Sequence, residues 1–203
     1  MSDVALTKAT VRTRLLAARR HRGATDGSEL ARRVLELLDA PGSTVCAYVA
    51  RAGEPPTAQL LNRLLAGGHR VLLPVLLDDL DLDWAELTPT TTLLPGRLGV
   101  MEPDGPRLGR DAVRDCTLVV VPALAVDRAG NRLGRGGGSY DRALARTTGW
   151  VVALLHDGES VTALPVEEHD RPVASFLTPG RGLVHLAGGL EQAAGAGTLR
   201  AAP

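Results

Sequence analysis

The spacing of apolar and polar positions divides the chain into helical and extended segments. Residues Thr7–Arg22 place Val11, Leu15 and Ala18 on one stripe of a predicted helix. Lys8, Arg12 and Arg19 fall within about 40° of each other on the border of that stripe, where the helix would meet its neighbours. Ser28–Leu38 predicts a second helix, with Leu30, Val34, Leu37 and Leu38 at core spacing. After the turn at Pro41-Gly42, the β-forming run Thr44–Ala50 predicts a strand. Glu54-Pro55-Pro56-Thr57 reads as a loop that puts a proline in the first turn of a helix over Pro56–Ala66, ended by Gly67-Gly68. His69–Leu76 is the next strand, and strand, helix, strand in this order predicts a parallel βαβ unit.

Residues 78–110 are less regular, acidic at Asp78–Asp83, with a short strand over Leu82–Trp84. Leu118–Pro122 and Trp150–Leu155 are continuous apolar runs, the pattern of strands covered on both faces. A glycine-rich loop, Gly130–Gly138, leads into a helix over Ser139–Arg146, and Ser175–Leu177 is a last short strand. From Pro179 onward the chain turns rich in Gly and Ala and loses periodicity. The expectation is one three-layer α/β domain over residues 1–180 with a mostly parallel central sheet, Rossmann-like but not of the dinucleotide-binding type. A flexible tail over 181–203 would follow.

Composition narrows the function. The chain has 203 residues, 44% of them apolar, enough for one domain to bury its core without disulfides or a structural metal. Its 23 basic and 23 acidic residues cancel, which argues against a nucleic-acid-coating or membrane-surface protein. No apolar run approaches the ~20 residues of a membrane-spanning helix, and no secretory leader is evident, so a cytoplasmic location is expected. Cys46 and Cys116 lie in apolar runs and read as reduced, buried thiols. No cysteine and histidine spacing suggests zinc. Nothing indicates an obligate protein partner, and a monomer is expected. The chain has 22 arginines and a single lysine, Lys8, which singles out a place where a compact ammonium is needed rather than a planar fork.

The densest chemical signal is Gly130-Asn131-Arg132-Leu133-Gly134-Arg135-Gly136-Gly137-Gly138-Ser139-Tyr140-Asp141-Arg142. Glycines at this density let backbone N–H groups turn inward on anionic oxygens, and the following helix start adds to that. Arg132 and Arg135 supply forked donors suited to phosphate, and Asp141 in the helix's first turn suits a magnesium ion. A P-loop is excluded, because the chain contains no Gly-Lys pair. A dinucleotide fingerprint is excluded too, since Ser139 stands where its last glycine belongs.

The run from Pro122 to Arg142 resembles the 5-formyltetrahydrofolate cyclo-ligase family, which carries P-G-x-x-F-D-x-x-G-x-R-L-G-x-G-x-G-Y-Y-D there. Other blocks follow in order: Lys8-Ala9-Thr10-Val11-Arg12 for the family's K-x-x-L-R, Glu54 with Thr57, the strand ending in Pro74, Glu102-Pro103, Leu164-Pro165-Val166-Glu167-Glu168-His169-Asp170, and Thr178. The resemblance implies ATP- and Mg²⁺-dependent closure of 5-formyltetrahydrofolate to 5,10-methenyltetrahydrofolate, with ATP and a reduced folate as small-molecule partners. It implies that Lys8, Arg12 and the loop Arg132, Leu133, Gly134, Arg135, Gly136, Gly137, Gly138, Ser139 and Tyr140 hold ATP, with Lys8 and Arg135 acting in catalysis. Val49, Glu54 and the segment Arg135–Ser139 would face the folate, and Asp141 and Asp170 would serve magnesium. Val126 and Ser139 depart from the family's aromatic residues, and aromatics make up only 2% of the chain. A catalytically weak relative that binds ATP or folate is therefore the alternative.

Overall fold

A computed structural model of the chain describes residues 7–23, 25–39 and 41–186. The elements in chain order are helices α1 (Lys8–Arg20) and α2 (Ser28–Leu35), strand β1 (Thr44–Cys46), helix α3 (Ala58–Ala66), and strands β2 (Arg70–Leu76) and β3 (Leu82–Leu87). A small hairpin of β4 (Leu93–Pro95) and β5 (Met101–Pro103) precedes β6 (Leu118–Pro122), and a second one pairs β7 (Ala125–Val126) with β8 (Arg132–Leu133). Helix α4 (Ser139–Leu144) and strands β9 (Trp150–Leu154), β10 (Ser175–Thr178) and β11 (Gly182–His185) complete the described chain.

The main sheet runs β11-β10-β9-β6-β1-β2-β3. Its five inner strands pair in parallel, while β3 and β11 run antiparallel at the edges. Period-2 alternation sends Val45, Leu118, Val120, Val152 and Leu154 to one face, under α2 and α3. Cys46, Val119, Val121, Val151 and Ala153 go to the other face, under α4. The three-layer expectation holds, and both tryptophans, Trp84 and Trp150, are fully buried. Cys46 and Cys116 are buried as free thiols with sulfurs 2.7 Å apart.

Several elements differ from the sequence expectation, each for a local reason. Strand β1 leaves the ladder after Cys46 rather than at Ala50 because Thr57 takes over: its hydroxyl donates to the Tyr48 carbonyl at 2.7 Å and accepts from the Ala50 N–H at 2.9 Å. Thr57 is also the N-cap of α3, so Pro56 lies before the helix and not in its first turn. In α1, Ala18 is exposed and Arg19 is buried, the reverse of the aliphatic stripe. Helix α4 stops at Leu144 and not at Arg146. The glycine-rich segment is not irregular throughout, since Arg132-Leu133 forms β8. The folded unit also runs beyond residue 180: β11 pairs with β10 over Gly182–His185. The rest of the expected tail, residues 187–203, lies outside the described residues.

The strand order places a topological switch between β1 and β6. The chain moves outward from β1 to β2, and on the other side from β6 to β9. In open α/β sheets the crevice beyond the carboxyl ends of such strands is where ligands bind.

Candidate active site

A cavity of about 980 Å³ opens at that switch point. Tyr48 and Val49 after β1, Pro122–Leu124 at the end of β6, helix α1 and the glycine loop line it. Every residue that the resemblance assigns to ATP, folate or magnesium lines this cavity: Lys8, Arg12, Val49, Glu54, the loop from Arg132 to Tyr140, Asp141 and Asp170.

The loop is presented by the β7–β8 hairpin, and Asp127 shapes that hairpin. Its carboxylate accepts the N–H groups of Ala129 and Asn131 at 2.9 Å each and of Leu164 at 3.0 Å, and the Asn131 side-chain amide at 2.9 Å. Asp127 is thereby spent on structure. The glycines after it make room for arginines. A Cβ on Gly134 would lie 2.8 Å from the Arg132 guanidinium, and one on Gly136 (φ +107°) 3.3 Å from that of Arg12. Arg12 Nε donates to the Gly134 carbonyl at 2.9 Å, which ties α1 to the loop.

Charges are arranged in pairs around the rim. Lys8 Nζ donates to both carboxylate oxygens of Asp170 at 2.7 and 2.6 Å and to Glu167 at 3.0 Å. Burial disfavours the ammonium, but these bonds and charges outweigh it and hold the Lys8 pKa above 10.5. Burial likewise works against the Asp170 carboxylate, yet Lys8 and the Glu167 amide pull its pKa below 3.8. Arg132, buried, donates to Asp141 at 2.9 Å and lies 5.7 Å from the Tyr140 ring centroid. Its Nε–H is buried with no partner, and so is the Tyr48 hydroxyl after β1. Arg135 Nε donates to Glu54 at 3.0 Å, and the other Glu54 oxygen accepts the Arg51 N–H at 2.9 Å. Burial, with Glu54 nearby, pushes both Tyr48 and Tyr140 above the usual phenol range.

Asp141 and Asp170 stand on the same rim, since Asp141 accepts the N–H of Arg171 at 3.3 Å. They do not share one cluster. Among the described residues the group of metal-type ligands is Glu167, His169 and Asp170.

Arg19, from the basic border of the α1 stripe, and Arg142, from the end of the glycine-rich run, line the cavity as well; Arg51, Arg171 and Leu98, the last reaching in from the β4–β5 connection, carry no such sequence signal. Leu98 is 65% exposed and adopts φ +52°, a left-handed conformation costly for a leucine. Glu102 holds that hairpin on the sheet by accepting the Leu76 N–H at 2.9 Å, which gives the Glu-Pro dipeptide its structural role. A second recess of about 390 Å³ adjoins the first and shares Val49, Arg51 and Arg135. No helix among the described residues is long and apolar enough to cross a membrane.

A family model described as the 5-formyltetrahydrofolate cyclo-ligase family matches residues 4–179. The chain is 42% identical over 189 residues to the 5-formyltetrahydrofolate cyclo-ligase of Mycolicibacterium smegmatis, covering 88% of this chain and 97% of that protein. It is 34% identical over 149 residues to the Escherichia coli protein of the same name, covering 68% of this chain and 79% of that protein. The solution structure of Aquifex aeolicus 5,10-methenyltetrahydrofolate synthetase superposes with a TM-score of 0.71 at 26% identity, covering 88% of this chain and 92% of the other. A Mycoplasma pneumoniae synthetase of 13% identity shares the fold, with a TM-score of 0.63 over 83% of this chain and 96% of the other.

Proposed function

The chain belongs to the 5-formyltetrahydrofolate cyclo-ligase family, and from that premise we propose that it couples ATP hydrolysis to closure of 5-formyltetrahydrofolate into 5,10-methenyltetrahydrofolate. The observation that carries this reading is the cavity at the switch point, with phosphate-type donors on one wall and the Glu54–Arg135 pair facing them. A formamide is a poor electrophile because its nitrogen donates into the carbonyl. The formyl oxygen takes the terminal phosphoryl group of ATP, the bond to ADP breaks, and the carbon becomes iminium-like. The N10 amine of the same molecule then attacks that carbon, loses its proton, and phosphate departs with the formyl oxygen. The second step is intramolecular, so the protein mainly has to fold the substrate into reach.

The first step asks for positioning and charge neutralisation, not a protein nucleophile. Lys8, Arg12, Arg132 and Arg135 supply the charge, and the unpaired Arg132 Nε–H is a donor awaiting an acceptor. Glu54 takes the folate side, able to accept from the pterin's N–H edge or to face the cationic product. Asp141 and Asp170 would hold magnesium. They fit it as hard oxygen donors on one rim, which the ion would share with or draw from their present partners, Arg132 and Lys8. When bound, the ion neutralises phosphate charge. The test is to mix protein, Mg-ATP and 5-formyltetrahydrofolate. Near-ultraviolet absorbance of the methenyl product should grow, with one ADP released per product. Binding of both substrates without that absorbance would turn the reading to an ATP- and folate-binding relative.

A further inference from the structure

The last turn of α1 carries a charge that the reaction does not use. Arg19 is 5% exposed, and its guanidinium meets Glu159, itself 4% exposed, through Nε at 2.8 Å and a terminal nitrogen at 2.7 Å. That nitrogen also donates to the Ala123 carbonyl. Glu159 in turn accepts the backbone N–H of His156 at 2.9 Å. His156, 3% exposed, points its Nε2 at the Gly53 carbonyl, 3.2 Å away. Burial keeps the imidazole pKa below 6.5, so the neutral ring with its proton on Nε2 is the donor.

These contacts have a common geography. Gly53, Ala123 and His156 follow β1, β6 and β9, three adjacent strands, past their carboxyl ends. Gly53 stands at φ +81° directly before Glu54, and the Glu54 N–H closes the turn on the Arg51 carbonyl at 2.9 Å. The cluster thus connects the helix bearing Lys8 and Arg12 to the turn bearing Glu54. A buried ion pair is a poor way to gain stability, because apolar residues of the same volume do as well or better. It does fix geometry, since each partner must sit where the other can reach it.

We propose that the Arg19–Glu159–His156 cluster is a positioning device that sets the Gly53–Glu54 turn for the folate and ties its height to α1. This rests on reading the cavity as a cyclo-ligase site. His156→Leu keeps bulk and removes the donor; His156→Gln keeps an amide N–H for Gly53. The leucine variant should raise the KM for 5-formyltetrahydrofolate about ten-fold, the scale of one buried bond lost, and leave the KM for ATP within about two-fold. Amide exchange at Arg51 and Glu54 should quicken by a similar factor, and glutamine should restore most of both. If leucine does not fold, His156→Asn, too short to reach Gly53, should show the same split. Equal rises in both KM values, or parental KM and parental exchange without the donor, would overturn the proposal. A parent that fails to cyclise folate counts against the functional reading instead, while the exchange comparison still decides the role of His156.

Discussion

The two walls of the cavity are built by different means. On the wall formed by α1 and the glycine loop, charge does the positioning: Lys8 on Asp170, Arg132 on Asp141, Arg12 on a loop carbonyl. On the wall formed by the β1–α3 turn and the β4–β5 hairpin, backbone geometry does it: Thr57 bridging Tyr48 and Ala50, Gly53 and Leu98 at positive φ, and one carboxylate, Glu54. A polyanion needs fixed opposing charge, and fixed charge needs partners to hold it while no ligand is bound. A flat, mostly neutral heterocycle needs shape and a few aimed acceptors. Arg135 stands between the two, bonded to Glu54 and carried by the glycine loop.

The largest effect should come from the charged wall. Lys8→Ala removes one preorganised donor, worth about 2–4 kcal/mol of transition-state stabilisation. Steady-state kinetics at saturating folate should show kcat/KM for ATP falling by that factor. Lys8→Arg should also lose activity, because an ammonium can rotate its donors to follow a moving phosphoryl group and a planar fork cannot. An arginine variant as active as the parent would reduce Lys8 to a brace for Asp170.

The wall of the β1–α3 turn should respond separately. Glu54→Gln weakens the bond from Arg135 and costs about 1.5–3 kcal/mol in folate KM, the range for a charged hydrogen bond. The KM for ATP should stay within about two-fold by the same reasoning. If both rise together, Arg135 couples the walls and the distinction between them fails.

A smaller effect is expected at Asp141. Asparagine there still accepts from Arg132, so the fold is kept while charge toward magnesium is lost. Titration should show a several-fold higher magnesium requirement with unchanged folate binding. Asp141→Ala would instead leave the buried Arg132 charge unpaired, and thermal unfolding should show the loss. An asparagine variant with the parent's magnesium curve would make Asp141 only the partner of Arg132.

The two walls were not equally legible in the sequence. The glycine loop is contiguous, and its arginines, glycines and Asp141 stand in one run, so local chemistry exposes it. The parallel sheet was also readable, because strands buried on both faces leave unbroken apolar runs at Leu118–Pro122 and Trp150–Leu154. Arg19 was visible only as part of a basic row. Its partner Glu159 lies 140 positions away, and an aliphatic stripe cannot show that a guanidinium is the residue turned inward. The β4–β5 hairpin was missed because its strands are three residues each and its tip takes a conformation that leucine seldom signals. Strand β11 was missed because an edge strand with one half-buried face leaves too little pattern in a Gly-rich setting.

The smallest effect concerns pH and tests whether the charged wall holds itself together without ligand. Asp170 has a folded-state pKa below its ordinary 3.8, so its contribution to stability is present above that value and is lost as pH falls through the folded value. Lys8 has a folded-state pKa above its ordinary 10.5, so its contribution is present below that value and is lost as pH rises through the folded one. The pair therefore stabilises across the whole neutral range, by on the order of 1 kcal/mol for a partly screened ion pair. Urea unfolding of the parent and of Lys8→Met, at about pH 7 and about pH 3, isolates the acid limb. The methionine variant should lose less stability on acidification, since Asp170 then lacks the ammonium that depresses its pKa. The Glu167 N–H would still donate to Asp170 at 2.7 Å, so some acid dependence should survive. Identical losses in the two proteins would mean that this backbone bond, and not Lys8, keeps Asp170 ionised, and that the lysine is free to leave it for a phosphate at little cost.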